Sequence, residues 1–453
     1  MSKIWGMRGF LASSTGVLCA VLTLSLAPPA SAAAGPIAGA AVPGSTQSLP
    51  LVPLAGSRAP GAAAERGLAP RTVHSFSLVG VVWDDPAVEL HGRVLVRTRA
   101  NGTGRWSGWQ ELEVHNQDHG PDPDTAEGRS NRMRGSTAPL WVGDSDGVQV
   151  WVRADEPGSG TTRAPRLPEG LRVELVDPGK EPRDAIPPPS SPPTGGSDGP
   201  DAEVITSVVD GGLAPLNALG IPGTSKRPTA MTEAKGGKAG KIAMSAGLPR
   251  QPYVAPRPRI VSRSGWGADE SLREGGFLYT DTVKAAFVHH TATGNNYGCS
   301  QAPSVIRSIY RYHVVSSGWR DIGYNFLVDK CGTIYEGRAG GVEKPVMGAH
   351  TLGFNSDTTG IAVIGSYDGT APSAAAADGL AQLTAWKLGL FGRDPRAKTY
   401  LVSGGGNLYP KGENVRLNVI SGHRDGYATE CPGRLLYGEL GLVRSVAARY
   451  QGR

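Results

Sequence analysis

The sequence predicts an α/β protein in two parts. An all-β, sandwich-like domain comes first, then a Pro/Gly-rich linker, then a C-terminal domain with a mixed central β-sheet flanked by helices. Three observations carry this. Short apolar runs alternate with turn formers between residues 72 and 176, strand and helix patterns interleave from residue 258 onward, and low-complexity stretches separate the two. The chain has 453 residues, too many for one core. With 64 glycines, 36 prolines, 39% hydrophobic and 19% charged residues, it is neither a coiled coil, nor wholly disordered, nor a polytopic membrane protein.

Residues 1–32 read as a secretory signal: Lys3 and Arg8 precede the apolar run Val17 to Ala27, which ends in Ala30-Ser31-Ala32. Cleavage at Ala34 is the alternative. The run is too short for a bilayer of ~30 Å, and no stop-transfer segment follows, so no transmembrane segment is expected. The chain is expected to be secreted, extracellular or cell-wall associated. Its formal charge of +6 loses two units with the signal. Without a Lys/Arg cluster beside aromatic residues, that excess speaks against nucleic acid and suits an anionic surface such as a wall.

Residues 33–71 are Ala/Gly/Pro-rich and read as a disordered extension. Between 72 and 176, strands are predicted at Phe76 to Trp83, Val94 to Arg99, Trp106 to Leu112, Leu140 to Val142, Val148 to Arg153 and Leu171 to Val176. Turns are expected at Asp84-Asp85-Pro86, Asn101-Gly102 and Asp144 to Gly147. Trp106, Trp109, Trp141 and Trp151 are assigned to the core rather than to sugar stacking. His91, His115 and His119 lack metal-like spacing and read as ordinary surface residues. Residues 177–257 form the linker, with a possible docked element at Ala202 to Leu219.

In residues 258–453, strands are predicted at Ala285 to His289, Tyr324 to Val328, Thr333 to Tyr335 and Gly360 to Ile364. Helices are predicted over Pro303 to His313, around Leu380 to Leu390, and over Leu435 to Ala447. The first strand ends in His289-His290, whose side chains point to opposite faces, so one of them can join a common site. Gly422-His423-Arg424-Asp425 is followed eight residues later by Cys431-Pro432-Gly433. One histidine of the pair, His423 and Cys431 make the three-ligand count of a catalytic zinc, with a fourth position for water. Cys19 leaves with the signal, so three cysteines remain. Two can pair while the third is free, intermolecular or metal-bound. The zinc reading resolves this: Cys431 is the metal thiolate, and Cys299 and Cys331 form a disulfide.

The segments Phe287-Val288-His289-His290-Thr291-Ala292, Asp321 to Phe326, Tyr335-Glu336-Gly337-Arg338, Gly348-Ala349-His350-Thr351, Gly422 to Asp425 and Thr429 to Gly433 resemble peptidoglycan recognition proteins and zinc-dependent N-acetylmuramoyl-L-alanine amidases of the phage-lysozyme type. The two-part layout is similar to large secreted actinobacterial members. The resemblance implies Zn²⁺ held by His289, His423 and Cys431, with Tyr324 catalytic. It implies His350 in the substrate cleft, and His290 is assigned to substrate through a hydrogen bond. Thr429 stands where phage enzymes carry a lysine and is assigned an assisting catalytic role. The implied substrate is peptidoglycan, cut between N-acetylmuramic acid and L-alanine. His313 reads as a core residue or one behind the site. The rivals are a recognition protein that binds muramyl peptides without cutting them, and a wall adhesion protein working through its β domain. Inactive family members generally lack the cysteine that Cys431 retains.

Overall fold

The computed structural model describes residues 44–54, 64–114, 116–156, 166–180, 220–221 and 253–453. The predicted signal, the possible element at Ala202 to Leu219 and His115 lie outside them. The β domain contains β1 (Ser45–Pro50), β2 (Val52–Pro53), β3 (Glu65–Trp83), β4 (Gly92–Ala100), β5 (Gln110–Leu112), β6 (Gly135–Ser136), β7 (Leu140–Ala154) and β8 (Arg172–Asp177). They form one hydrogen-bonded sheet in the order β1-β8-β3-β7-β4-β5, with β2 and β6 also pairing β3.

Three expectations need correction here. The extension predicted to be disordered through residue 71 contributes β1, which pairs β8 along its whole length, and the first residues of β3. Backbone pairing plus burial of Leu51 in the core is enough to order a segment with almost no apolar periodicity. The turn predicted at Asp144 to Gly147 lies inside β7, where register shifts against β3 and β4 absorb its polar residues as bulges. Of the four tryptophans assigned to the core, only Trp141 is fully buried. Trp106 and Trp151 are half-buried and Trp109 is exposed, because the Arg97 guanidinium stacks over both Trp106 and Trp109 at 5.2 Å on the outer face.

The C-terminal domain adds β9 (Gly220–Ile221), β10 (Ile260–Val261), β11 (Ala285–His290), β12 (Phe326–Val328), β13 (Ile334–Glu336), β14 (Thr358–Val363), β15 (Lys398–Val402), β16 (Asn414–Asn418) and β17 (Ile420–Gly422). Its helices are α1 (Arg263–Trp266), α2 (Ala302–Arg311), α3 (Ala374–Leu390) and α4 (Arg434–Tyr450). A mixed sheet runs β17-β11-β14-β12-β13-β10-β9, while β15 and β16 pair as a separate hairpin. Helices α3 and α4 cover one face through Leu380, Leu383, Leu436, Leu440 and Val443, packed against Val288, Phe326 and Ile361. Helix α2 covers the other face through Val305, Ile306 and Ile309. Beyond α2 the chain makes a π turn over Tyr312–Ser316 and reverses at Gly318, whose φ of 77° is left-handed. Cys299 and Cys331 are joined as a disulfide.

The β domain and the C-terminal domain belong to one compact unit. The reason lies in β3, where side chains alternate faces. Val79, Val81 and Trp83 point into the β domain's own core, whereas Leu78 and Val82 join a second cluster with Ala302, Ile306, Ile309 and Tyr312. Gly80, between those two, lies so close to the Tyr312 ring that a Cβ would overlap it. The Tyr312 hydroxyl donates to the Thr137 carbonyl at 3.0 Å, and Ser316 donates to the buried Glu174 carboxylate at 3.0 Å.

Candidate metal site

His289 sits at the end of β11, between β14 and β17, and the register that aligns Val288 with Gly422 brings His423 beside it. His423 opens a short 3-10 turn fixed by the Asp425 carboxylate, which accepts from the Gly422 amide at 2.9 Å. The loop returns to Cys431, whose carbonyl accepts from the Arg424 amide at 3.0 Å. A short excursion therefore places imidazole and thiol against one strand end. Cys431 Sγ lies 3.8 Å from His289 Nδ1 and accepts from the His290 amide at 3.4 Å.

The cluster contains a fourth member. His119, from the 113–134 loop of the β domain, lies with His289, His423 and Cys431 so that one donor atom from each falls within 4.8 Å of every other, and all four residues are buried. Its ring is 4.5 Å from that of His423 and 5.2 Å from that of His289. This corrects the reading of His119 as an ordinary surface residue; His91 is indeed exposed. Spacing missed His119 because its partners are more than 160 residues away in sequence. The available signal was the loop itself: more than twenty residues between β5 and β6, longer than a small β domain needs to connect strands.

The donor chemistry fits a zinc ion. His119 Nε2 and His423 Nδ1 are buried and have no hydrogen-bond partner among the described residues, while the other nitrogen of each ring is engaged. His119 Nδ1 is 2.8 Å from Asp118 Oδ1, and His423 Nε2 is 3.1 Å from the Asp118 carbonyl. For His289, Nδ1 faces the thiol and Nε2 lies 3.3 Å from His350 Nδ1. Such outer partners fix ring orientation in metal sites. Burial and the neighbouring imidazoles hold His289 well below the usual histidine range and bring His423 down to about 3, so both rings are neutral donors. Burial pushes the Cys431 thiol well up, with Glu113 and Asp118 adding to the effect, so a thiolate there is stable only opposite a cation. Burial also opposes charge on Asp118, but adjacent His119 holds its carboxyl down to about 2.

Tyr324 lies beside the cluster, its ring 5.6 Å from His289 and 5.9 Å from His119, with His313 behind it at 5.8 Å. His313 is buried and accepts from the Gly323 amide at 3.2 Å. Burial raises the Tyr324 phenol well above its ordinary value, so it keeps its proton. The Thr429 hydroxyl accepts from the Cys431 amide at 3.3 Å.

Two expected substrate contacts are corrected. His350 is fully buried behind His289, held between Thr351 Oγ1 at 3.0 Å and Thr358 Oγ1 at 3.4 Å. A Cβ at Gly360 or Gly348 would overlap its ring, so its cradle is built for it, and its Nδ1 faces His289 Nε2 at 3.3 Å. His290 turns away from the donors, and its buried Nε2 lies 3.6 Å from Glu113 Oε2 of the β domain. Both rings are buried with the 113–134 loop seated over the site.

Comparisons with known proteins match each half of the chain. A family model described as N-acetylmuramoyl-L-alanine amidase matches residues 279–434, and one described as Rv3811 N-terminal galactose-binding domain-like matches residues 31–170. Peptidoglycan-recognition protein SC2 of Drosophila simulans is 34% identical over 183 residues, covering 40% of this chain and 84% of that protein. Peptidoglycan-recognition protein 1 of Holotrichia diomphalia is 30% identical, covering 40% and 79%. Among solved structures, Drosophila PGRP-LB is 27% identical with a TM-score of 0.33, covering 40% of this chain and 92% of that one.

Proposed function

Because the chain belongs to the family of peptidoglycan recognition proteins and type 2 N-acetylmuramoyl-L-alanine amidases, we propose that it is a secreted zinc hydrolase. Its substrate is the amide between N-acetylmuramic acid and L-alanine in peptidoglycan. One observation carries the reading: two neutral imidazoles and a thiol, His289, His423 and Cys431, converge from two strand ends with a protonated tyrosine against them. A receptor that only binds muramyl peptides has no need of a buried thiol beside two imidazoles.

Zinc bound there supplies Lewis-acid polarisation of the amide carbonyl and activation of water near neutral pH. The chain's own residues do the rest. His350 and Thr351 hold His289 from behind, fixing which nitrogen faces the metal. Tyr324 presents its phenolic hydrogen to the oxyanion that develops as the amide is attacked. Thr429, two residues before Cys431, offers a hydroxyl for relaying a proton toward the leaving amine, with no charge of its own.

The test is metal content measured beside hydrolysis of defined muropeptides. The mature chain is expected to carry one zinc per molecule, to release stem peptides, to stop after chelation and to recover with Zn²⁺. Cys431→Ser is expected to lose both metal and turnover while keeping the Cys299–Cys331 disulfide. Hydrolysis by the serine variant at the native rate refutes the ligand assignment. Binding of muropeptide without release, by zinc-loaded chain with an accessible site, favours the receptor.

A further inference from the structure

A zinc site that hydrolyses amides keeps one coordination position for water or substrate, whereas four protein donors make a closed site of the structural kind. This chain offers four. We propose that His119 is a fourth metal ligand delivered by the β domain, and that the intact chain is therefore a partly latent hydrolase, turning over slowly until the 113–134 loop withdraws. The inference rests on the hydrolase reading for the latency and on geometry alone for the ligation.

The His119 ring is aimed, not merely nearby. Asp118 grips its Nδ1, leaving the buried, unpartnered Nε2 turned to the other three donors. The same ring stands edge-on to Tyr324, with an interplanar angle of 84°. A substrate carbonyl that must face both the metal and the phenol finds that space filled by imidazole.

The loop is held down on either side of His119. The Asp118 carbonyl accepts from the Leu352 amide at 2.8 Å. Asp122 Oδ1 accepts from the Gly353 amide at 2.6 Å and from Asn355 Nδ2 at 2.9 Å. Further along, Glu127 makes a paired ion bridge to Arg338, and Asp124 pairs with Lys411. Apart from Val114, the loop contributes no side chain to the hydrophobic clusters of the described residues. Its attachment is made of hydrogen bonds and ion pairs, which water replaces at modest net cost. The contact of β3 and β8 with α2 is apolar through Leu78, Val82 and Val176, and resists separation. The moving part is therefore the loop, while the β domain stays docked.

Cobalt substitution of the mature full-length chain tests this without relying on turnover. The visible d–d spectrum of the native Co²⁺ protein is expected to ignore added thiocyanate. His119→Ala, with its fourth position opened to solvent, is expected to show a saturable shift. Asp122→Ala keeps all four donors but frees the loop, and is expected to respond partly; it carries the test if the first variant binds cobalt poorly. A native spectrum that shifts with thiocyanate as much as the His119→Ala spectrum overturns the ligation. On muropeptides, His119→Ala is expected to turn over at least tenfold faster than the native zinc chain, and slower turnover overturns the latency. Absence of hydrolysis from both chains, with the cobalt difference intact, supports the ligation and overturns latency together with the hydrolase reading.

Discussion

Glu127 is the deepest charge by which the loop is tied to the C-terminal domain, and removing it should release a predictable amount of free energy. Its carboxylate oxygens accept from Arg338 Nη1 at 2.8 Å and Nη2 at 3.0 Å, and one also accepts from the Arg320 amide at 3.2 Å. The two side chains are only 3% and 4% exposed. Deleting one partner of such a pair strands the other charge, at about 3–5 kcal/mol. Arg338 keeps the Ile322 carbonyl at 2.9 Å and the Met347 carbonyl at 3.4 Å, so the lower end applies, about 3 kcal/mol. The loop can meet that cost by lifting and letting water reach Arg338. Glu127→Ala should therefore speed hydrogen exchange of the Leu352 and Gly353 amides, which are bonded to Asp118 and Asp122, by roughly 10²-fold. The Ala286 amide, bonded to Val419 inside the domain, should keep its rate. Glu127→Gln, which keeps the shape and part of the bonding, should fall between. Unchanged exchange at Leu352 and Gly353, together with an unchanged urea midpoint, refutes the claim that this ion pair holds the loop.

Three further outcomes follow from other parts of the molecule. Tyr324→Phe should lower turnover on muropeptides by about 10²–10³-fold, the scale for losing one oxyanion donor, with zinc content unchanged; equal rates remove the tyrosine from the chemistry. Lys387 is buried with its amine donating to the Val342 and Lys344 carbonyls, and burial lowers its pKa to about 7. The unfolded chain binds the proton that the folded chain lacks between about pH 7 and 10.4, so this residue's contribution makes stability rise with pH across that window. Lys387→Met should flatten the slope in urea midpoints measured from about pH 7.5 to 9.5, and a slope equal to the native one refutes the assignment. Replacing Cys299 and Cys331 together with serine should cost about 3–4 kcal/mol in chemical denaturation, as expected for a bridge spanning 32 residues, and a loss below about 1 kcal/mol contradicts that estimate.

The sequence by itself determined the parts whose physics is local. The strand ending in His289, the helical spacing behind α2, α3 and α4, and the short return from His423 to Cys431 all follow from periodicities of a few residues. The resemblance carried by those segments pointed to the metal-binding type of site. Segments with weak local signal were misjudged: β1 is ordered by pairing with β8, and β7 runs through residues that read as a turn. The segment from Phe76 to Trp83 did signal a strand, but not that both of its faces would be buried. That was decided only in three dimensions, when α2 took Leu78 and Val82 as its own. The same holds for His119 and His350. The side chain that meets the metal donors and the one that props His289 from behind are set by how two domains and three strands stack, and contacts across about sixty residues of chain or more leave no period to read. Tertiary packing alone determines whether the fourth corner of the site is open or closed.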